Sequence, residues 1–201
     1  FLSVFVAFSL FAGGTDEKSG AAAADGGGNE SPVLAAKVAS GSIPALSERL
    51  PDVPFVATVA ESIGTYGGTM RLVSNEVSRL GDGRNGVTVA SLTKADIDTA
   101  TTIPHLAKEF YWEGSKTLVF VLREGTKWSD GEPLTTETVS FWWNDFAMNE
   151  ELRPSGPPVD YVTPGGTMEV EIVDDYTFKL KFKDPKPLIL ETLAKRSEYQ
   201  A

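Results

Sequence analysis

Few residues in this sequence could do covalent or metal chemistry. The 201 residues include no cysteine and a single histidine, His105. The absence of thiols excludes disulfides, thiolate zinc sites and cysteine nucleophiles, and one imidazole leaves little room for histidine metal sites or Ser-His-Asp triads. His105 lies between Pro104 and the apolar Leu106, which favours a structural hydrogen bond over metal ligation. The sequence therefore predicts no catalytic residue, no metal site and no cofactor.

Two further motifs resemble chemical sites only in their spacing. Residues 81–86 (GDGRNG) have the glycine spacing of a dinucleotide-binding loop. Such a loop needs a helix N-terminus behind it, whereas residues 87–89 (VTV) favour a strand, so we interpret the segment as a surface loop.

Asp174 and Asp175 could suggest a carboxylate pair, but neighbours in a strand point to opposite faces and cannot share a proton. We expect these two residues to form a hairpin turn.

The tryptophans offer flat faces on which a sugar ring or an apolar peptide side chain could stack. They are Trp112, Trp128, Trp142 and Trp143. The alternative is a place in the core, and Trp142 and Trp143 lie at helical spacing with Val139 and Phe146. That spacing favours the core for one or both of these two tryptophans.

The composition is that of a folded, acidic protein. Hydrophobic residues make up 41% and charged residues 23% of the chain, which is enough apolar material for a core. The 18 basic and 28 acidic residues give a net charge of −10. A surface this negative repels phosphate backbones and anionic lipid headgroups, so we expect no nucleic-acid partner and no basic membrane patch.

The N-terminal region is typical of an exported protein. Residues 1–12 (FLSVFVAFSLFA) form an apolar run that ends in the small residues Ala12, Gly13 and Gly14, as in the apolar region and cleavage zone of a signal peptide. The run is shorter than the roughly 20 residues of a membrane span. Residues 19–30 are rich in alanine and glycine, and we interpret them as a flexible tether. For residues 1–12, the alternative to a signal peptide is a buried N-terminal helix or strand.

Alternating apolar residues predict two strands. Residues 69–73 (TMRLV) follow a glycine pair and read as a short strand. Residues 116–123 (KTLVFVLR) place Leu118, Phe120 and Leu122 on one face, which predicts a half-buried strand.

A hairpin is predicted over residues 169–183, with its turn at the two aspartates. In its second arm Phe178, Leu180 and Phe182 alternate with lysines, so the aromatic and leucine side chains should face the core. Glutamates in the first arm should pair with these lysines across the strands.

Helices interleave with these strands. Thr135 can cap a helix that continues through Phe146, a second helix is expected at residues 188–195 behind Pro187, and a helical turn is expected near residues 46–50. The mixture predicts an α/β or α+β class.

One long ordered block, residues 118–135 (LVFVLREGTKWSDGEPLT), resembles the signature of the family 5 extracellular solute-binding proteins of ABC importers, the oligopeptide and dipeptide binders. Shorter segments resemble the same family, and the resemblance extends from about Gly64 to Ala194. These segments are 67–72 (GGTMRL), 103–109 (IPHLAKE), 137–139 (ETV), 173–177 (VDDYT) and 185–188 (PKPL). In the signature, we expect Asp130 and Gly131 to make a tight reversal with positive φ.

The resemblance implies an α/β fold, namely part of a two-lobed type II periplasmic-binding-protein fold. On this interpretation residues 1–14 are a partial signal peptide, residues 15–62 are a flexible tether and extended connector, and residues 63–201 are the N-terminal lobe and adjoining subdomain, truncated before the second lobe and hinge. The sequence departs from the family twice. It lacks the usual lipobox cysteine, which leaves cleavage after Gly14 as one option, and Thr138 replaces an acidic residue that would complete a capping box.

The resemblance implies a function in transport. A monomeric receptor outside the cytoplasmic membrane, periplasmic or on the cell surface, would close two lobes around a solute and deliver it to an ABC permease without covalent chemistry. Oligopeptides are the expected ligands, and oligosaccharides are the alternative because relatives bind sugars. A secreted hydrolase is the alternative from another class.

Because ligands gather beyond strand carboxyl ends in α/β sheets, we expect Ser74, Asn75 and Glu76 to face the cleft.

Overall fold

The computed structural model describes residues 30–69, 71, 90–96, 98 and 101–195. The predicted signal peptide at 1–14, the glycine-rich loop at 81–86 and most of the predicted strand at 69–73 lie outside these residues. Those three interpretations therefore remain predictions.

Short helices and antiparallel strands interleave along the described chain. The helices are α1 (Pro32–Ala39), α2 (Leu46–Arg49), α3 (Thr136–Phe141) with its π-helical continuation (Trp142–Ala147), a 3-10 turn (Val159–Tyr161) and α4 (Ile189–Lys195). The strands are β1 (Thr93–Ala95), β2 (Thr102–Pro104), β3 (Ala107–Glu113), β4 (Thr117–Leu122), β5 (Val162–Thr163), β6 (Gly166–Thr167), β7 (Glu169–Ile172) and β8 (Thr177–Lys181). The predicted mixture of the two element types is confirmed.

A four-stranded antiparallel sheet with the order β3-β4-β8-β7 is the centre of the fold. Its register aligns Phe110, Phe120 and Phe178 in one row across three strands. The rings of Phe120 and Phe178 stack with their centroids 5.3 Å apart. The buried side chains on this face include those predicted to point inward, namely Leu118, Phe120, Leu122, Phe178, Leu180 and Phe182. Because side chains alternate between faces, one register places the whole apolar set in the core.

The opposite face of β4 corrects the prediction of a half-buried strand. Val119 points away from Phe120, yet its side chain is 0% exposed. In the register Val119 lies between Tyr111 on β3 and Lys179 on β8. Lys179 forms an ion pair with Glu113 of β3, so its long side chain crosses β4 and covers the valine.

The predicted pairing between the arms of the hairpin is confirmed. Lys181 pairs with Glu171, and Lys183 pairs with Glu169. The hydrogen bonds from these lysines lower the pKa of both glutamates. Since these glutamates are in contact with water, the pairs contribute little to stability and mainly keep this face of the sheet soluble.

The turn of this hairpin is formed by Asp174 and Asp175, as expected. A carboxylate oxygen of Asp174 accepts the Tyr176 N–H at 2.9 Å. The hydroxyl of Thr136 donates to the carbonyl of Asp174 at 2.7 Å, and the Thr136 N–H donates to the carbonyl of Asp175 at 2.9 Å. The first residue of α3 is thereby fixed to the turn, and the preceding Thr135 caps the helix by accepting from the Glu137 N–H.

The π-helix corrects the predicted face of this helix. The Met148 N–H donates to the Trp143 carbonyl five residues back, at 3.0 Å. This wider turn rotates the following residues relative to a 3.6-residue repeat. Trp143 and Ala147 are therefore buried, whereas Phe146, which the sequence assigned to the buried face, is 42% exposed.

The C-terminal helix α4 closes the core, and it begins one residue after the predicted start. Its buried residues are Ile189 and Leu193. Beside it lies an aromatic cluster in which Trp142 and Trp143 both meet Tyr161 edge to face, with ring centroids 5.4 and 5.8 Å away. The prediction that one or both of these tryptophans belong to the core is confirmed, because Trp143 is buried in it and Trp142 is partly buried against it.

The signature loop between β4 and α3 contains two tight turns. The Thr126 N–H donates to the Arg123 carbonyl at 3.2 Å, and the Gly131 N–H donates to the Trp128 carbonyl at 3.0 Å. Gly131 has φ +97°, a conformation that favours glycine. The expected reversal at Asp130 and Gly131 is confirmed.

Candidate functional site

The predicted ligand contacts Ser74, Asn75 and Glu76 lie outside the described residues, so their place in the fold stays a prediction. Within the described residues, an open cavity of about 200 Å³ lies between the segment after α2 and the β1–β2 pair. We call residues 51–58 of that segment the connector. The side chains and backbone around the cavity belong to Phe55, Ala57, Thr58, Lys94, Ala95, Asp96 and Ile103.

Arg123 holds the connector in place. Its Nη1 donates to the Val53 carbonyl at 2.9 Å, and its Nε donates to the His105 carbonyl at 2.6 Å. One guanidinium therefore joins the connector to the link between β2 and β3. Arg123 belongs to the signature segment of the sequence, and here its contacts are structural.

Gly125 permits the close approach of the connector to the signature loop. A side chain there would meet the backbone of Pro51 and Asp52 at 3.3 Å, and the residue has φ +80°. The Asp52 N–H donates to the Glu124 carbonyl at 3.4 Å. Both the space and the backbone conformation require glycine at this position.

Aromatic, cationic and acidic groups line the cavity. Phe55 and Ile103 supply apolar surface, while Lys94 and Asp96 supply opposite charges. Lys94 Nζ lies 5.1 Å from the centre of the Phe55 ring, within the range of a cation–π interaction. A cavity with apolar walls and a few charged groups suits a small amphipathic ligand.

Two more groups converge on the same ring. The Arg123 guanidinium lies 5.9 Å from the centre of Phe55. The His105 ring meets Phe55 edge to face, with centroids 5.0 Å apart at 86°. Phe55 is therefore held by Lys94, Arg123 and His105, which come from three different parts of the chain.

His105 has the structural hydrogen bond that the sequence predicted. Its Nδ1 lies 3.1 Å from the Ser91 carbonyl and 3.4 Å from the Ser91 N–H. The shorter contact favours the tautomer with the proton on Nδ1. Burial lowers the pKa of His105, and the positive charges of Lys94 and Arg123 lower it further, against the raising effect of the Ser91 hydrogen bond. The imidazole is therefore neutral at neutral pH.

The tryptophans have different environments. Trp143 is buried, and Trp112 and Trp142 pack against the core. Trp128, in the signature loop, is 39% exposed. Trp142 also lines a small apolar cavity of about 50 Å³ beneath α4, together with Tyr161 and Leu193. None of the four lines the larger cavity at the connector.

The described part of the chain holds no group of three or more histidine, cysteine, aspartate or glutamate side chains placed to bind a metal ion. None of its helices combines the length and the apolar composition needed to span a bilayer.

The residues around the cavity were not identified from the sequence. Phe55 stands between prolines and valines in a segment without periodicity, and its partners lie far along the chain. Arg123 is 70 residues from Val53. Phe55 is the one aromatic residue of the connector, and this is the local signal that could have drawn attention to the cavity.

Comparison with known proteins identifies the family. The model of the bacterial extracellular solute-binding proteins, family 5 (middle), matches residues 101–201. The periplasmic alpha-galactoside-binding protein of Rhizobium meliloti is 30% identical over 75% of this chain and 24% of its own length. The periplasmic oligopeptide-binding protein OppA of Salmonella typhimurium is 26% identical over 45% of this chain and 19% of its own length. The chain thus spans about a quarter or less of these relatives.

Solved structures agree with the sequence comparison. An oligopeptide-binding protein OppA superposes with a TM-score of 0.72 at 34% identity, over 84% of this chain and 26% of that protein. The periplasmic binding protein MelB of Agrobacterium fabrum C58, in complex with stachyose, superposes with a TM-score of 0.62 at 29% identity, over 82% of this chain and 28% of that protein. The antiparallel sheet, the capped helix and the signature loop described above thus form part of a known binding-protein fold, and the chain belongs to the bacterial extracellular solute-binding proteins of family 5.

Proposed function

We propose that this protein is a receptor outside the cytoplasmic membrane that captures oligopeptides and delivers them to the permease of an ABC importer. The observation that carries the proposal is the likeness to an oligopeptide-binding protein, at 34% identity and a TM-score of 0.72. The periplasmic relatives support the location. The net charge of −10 supports the absence of a nucleic-acid partner, and we propose that the receptor acts as a monomer.

The mechanism is capture by closure of two lobes. The four-stranded sheet and its helices provide one body of the receptor, because they share a single buried apolar core. The ligand gains affinity when a second lobe closes over it, and no bond is made or broken. Ser74, Asn75 and Glu76 are proposed to face that cleft, and the cavity at the connector is a second candidate surface for the ligand.

Oligosaccharide is the second candidate ligand class. It is favoured by the likeness to an alpha-galactoside-binding protein and to a binding protein solved with stachyose. Sugars in proteins commonly stack on exposed aromatic faces. Of the four tryptophans only Trp128 has a large exposed fraction, 39%, so the described residues give the sugar alternative limited support.

A secreted hydrolase is the alternative from a different class. It would need a nucleophile beside a general base. The only histidine donates from Nδ1 to the Ser91 carbonyl and packs on Phe55, which leaves it poorly placed to activate a nucleophile. Membership of a family of binding proteins also supports a receptor without enzymatic activity.

The ligand class is tested by titration of the full-length receptor. One titration uses a pool of short peptides and the other uses stachyose, with tryptophan fluorescence and heat release as readouts. We expect saturable binding of peptides and no binding of either ligand by residues 1–201 alone, since closure needs both lobes. A response to stachyose without a response to peptides would replace the peptide assignment. Saturable binding by residues 1–201 alone would overturn the two-lobe mechanism.

A matched pair of variants tests the cavity. Lys94→Gln removes the cation that lines it, and Lys108→Gln removes the same charge from an exposed position on β3. If the cavity contacts an anionic group of the ligand, Lys94→Gln should weaken binding about tenfold or more, because a charged hydrogen bond contributes about 1.5–3 kcal/mol. Lys108→Gln should bind like the parent protein. Equal affinities for both variants would remove the cavity from the binding site.

A further inference from the structure

Four separate parts of the chain meet around an aromatic ring that lines the cavity. Phe55 comes from the connector, Lys94 from β1, and His105 and Arg123 from the link after β2 and the end of β4. The Arg123 hydrogen bond to the Val53 carbonyl is the shortest tie between the connector and this body, at 2.9 Å. The Asp52 N–H contributes a longer one, at 3.4 Å to Glu124.

The charges around His105 are unbalanced. Lys94 on β1 and Arg123 at the end of β4 both act on the imidazole as positive charges. The connector presents the uncharged ring of Phe55 to it. Asp96 also lines the cavity, and the net effect of burial and the two cations on the pKa of His105 is a lowering. A proton on His105 would make it the third cation around one aromatic ring.

We propose that His105 is the trigger of a pH-sensitive latch, which holds the connector closed against the cavity while the imidazole is neutral and releases it when the imidazole is protonated. Protonation creates repulsion between His105, Lys94 and Arg123, and movement of the guanidinium away from the imidazole relieves it at the cost of its contacts with Phe55 and Val53. The wall formed by Phe55, Ala57 and Thr58 moves with the connector. Acidification therefore changes the shape of the cavity without a change in the sheet beneath it.

The direction of the effect follows from linkage. The closed state holds His105 with a pKa below its usual 6.5, and the open state returns it toward that value. Closure is therefore fully favoured above about pH 6.5 and weakens as the pH falls below it. For each unit by which the pKa of His105 in the open state exceeds that in the closed state, full protonation raises the equilibrium constant for opening by about tenfold.

An environment-sensitive fluorophore on the full-length receptor reports the opening. The label is attached at Ala57→Cys, in the cavity wall; the 201 residues contain no cysteine of their own. We expect the emission to shift to longer wavelength as the pH falls from about 8 to about 5, with the change beginning near 6.5. A label at Glu150→Cys, an exposed position beyond the π-helix, controls for pH effects on the fluorophore itself.

Two further variants make the test specific. His105→Asn keeps a donor near the position of Nδ1 but cannot titrate, so its emission should not change with pH. Lys94→Gln keeps His105 and removes one repelling charge, so the pH response should become smaller. The same pH response in His105→Asn as in the parent, or no response in the parent, would overturn the latch. Should His105→Asn misfold by circular dichroism, an undiminished response in Lys94→Gln would overturn it equally.

Discussion

Lys179 Nζ lies 2.9 and 2.8 Å from the two carboxylate oxygens of Glu113, and the pair joins β8 to β3 across the intervening strand β4. The hydrogen bond to Glu113 raises the pKa of Lys179. Beneath it Val119 is completely buried. A completely buried apolar side chain therefore lies on the outer face of the sheet, although the surface of that face is charged.

The two faces of β4 should both be sensitive to substitution. Phe120→Ala should destabilise the full-length protein by about 3–5 kcal/mol, because the ring is fully buried. Val119→Thr should cost about 1–3 kcal/mol, since its hydroxyl would be buried under Lys179. Chemical denaturation measures both losses. Val173→Thr, at a half-exposed position beside the hairpin turn, is the control and should change the free energy of unfolding little; a similarly small effect of Val119→Thr would contradict the burial.

The π-helix predicts a contrast between two neighbouring residues. Phe146→Ala should cost about 1 kcal/mol or less, because the ring is partly exposed and the Arg153 guanidinium lies 5.7 Å from its centre, a weak cation–π contact. Ala147→Leu should cost about 1–3 kcal/mol, because the methyl group is fully enclosed. Thermal unfolding of both variants measures the contrast. The reverse order would mean that the helix keeps a 3.6-residue repeat through this segment.

The cap of α3 is incomplete and can be improved. Thr135→Ala should destabilise by about 1 kcal/mol, because the side chain accepts from the Glu137 N–H at 3.3 Å. Thr138→Glu should stabilise by about 0.3–1 kcal/mol, since a glutamate at this third helical position can reach the Thr135 N–H and favours the helix dipole. Urea denaturation should show a lower free energy of unfolding for Thr135→Ala and a higher one for Thr138→Glu. Thr138→Gln serves as the control that keeps the hydrogen bond and omits the charge.

The hairpin turn should become weaker in acid. The hydrogen bond from the Tyr176 N–H lowers the pKa of Asp174 below its usual 3.8. A depressed carboxylate pKa gives stability that is present above the unfolded value and is lost as the pH falls through the folded one. Asp174→Asn keeps an acceptor for Tyr176 but does not titrate. Its melting temperature should therefore fall less than that of the parent between about pH 5 and about pH 2.5; equal falls would count against this role for Asp174.

The sequence by itself determined the features that depend on neighbouring residues. Alternation identified the inward face of Phe178, Leu180 and Phe182, because a strand has a side-chain period of two. The tolerance of glycine for positive φ identified the reversal at Gly131. A threonine before an apolar helical repeat identified the cap at Thr135. The signature segment identified the family. Each of these patterns extends over a few neighbouring residues, except the signature segment, which is long enough to be recognised by sequence comparison.

Only the tertiary structure decided which groups meet from distant positions. Val119 is buried because Lys179 and Glu113 flank its strand on either side, 66 residues apart in sequence. The π-turn places Trp143 against Tyr161, 18 residues further along the chain, with ring centroids 5.8 Å apart, a contact that a helical repeat does not encode. The cavity at Phe55 exists because Arg123 reaches back 70 residues to Val53. Such contacts are set by strand order and by the packing of whole elements, and a local pattern contains neither.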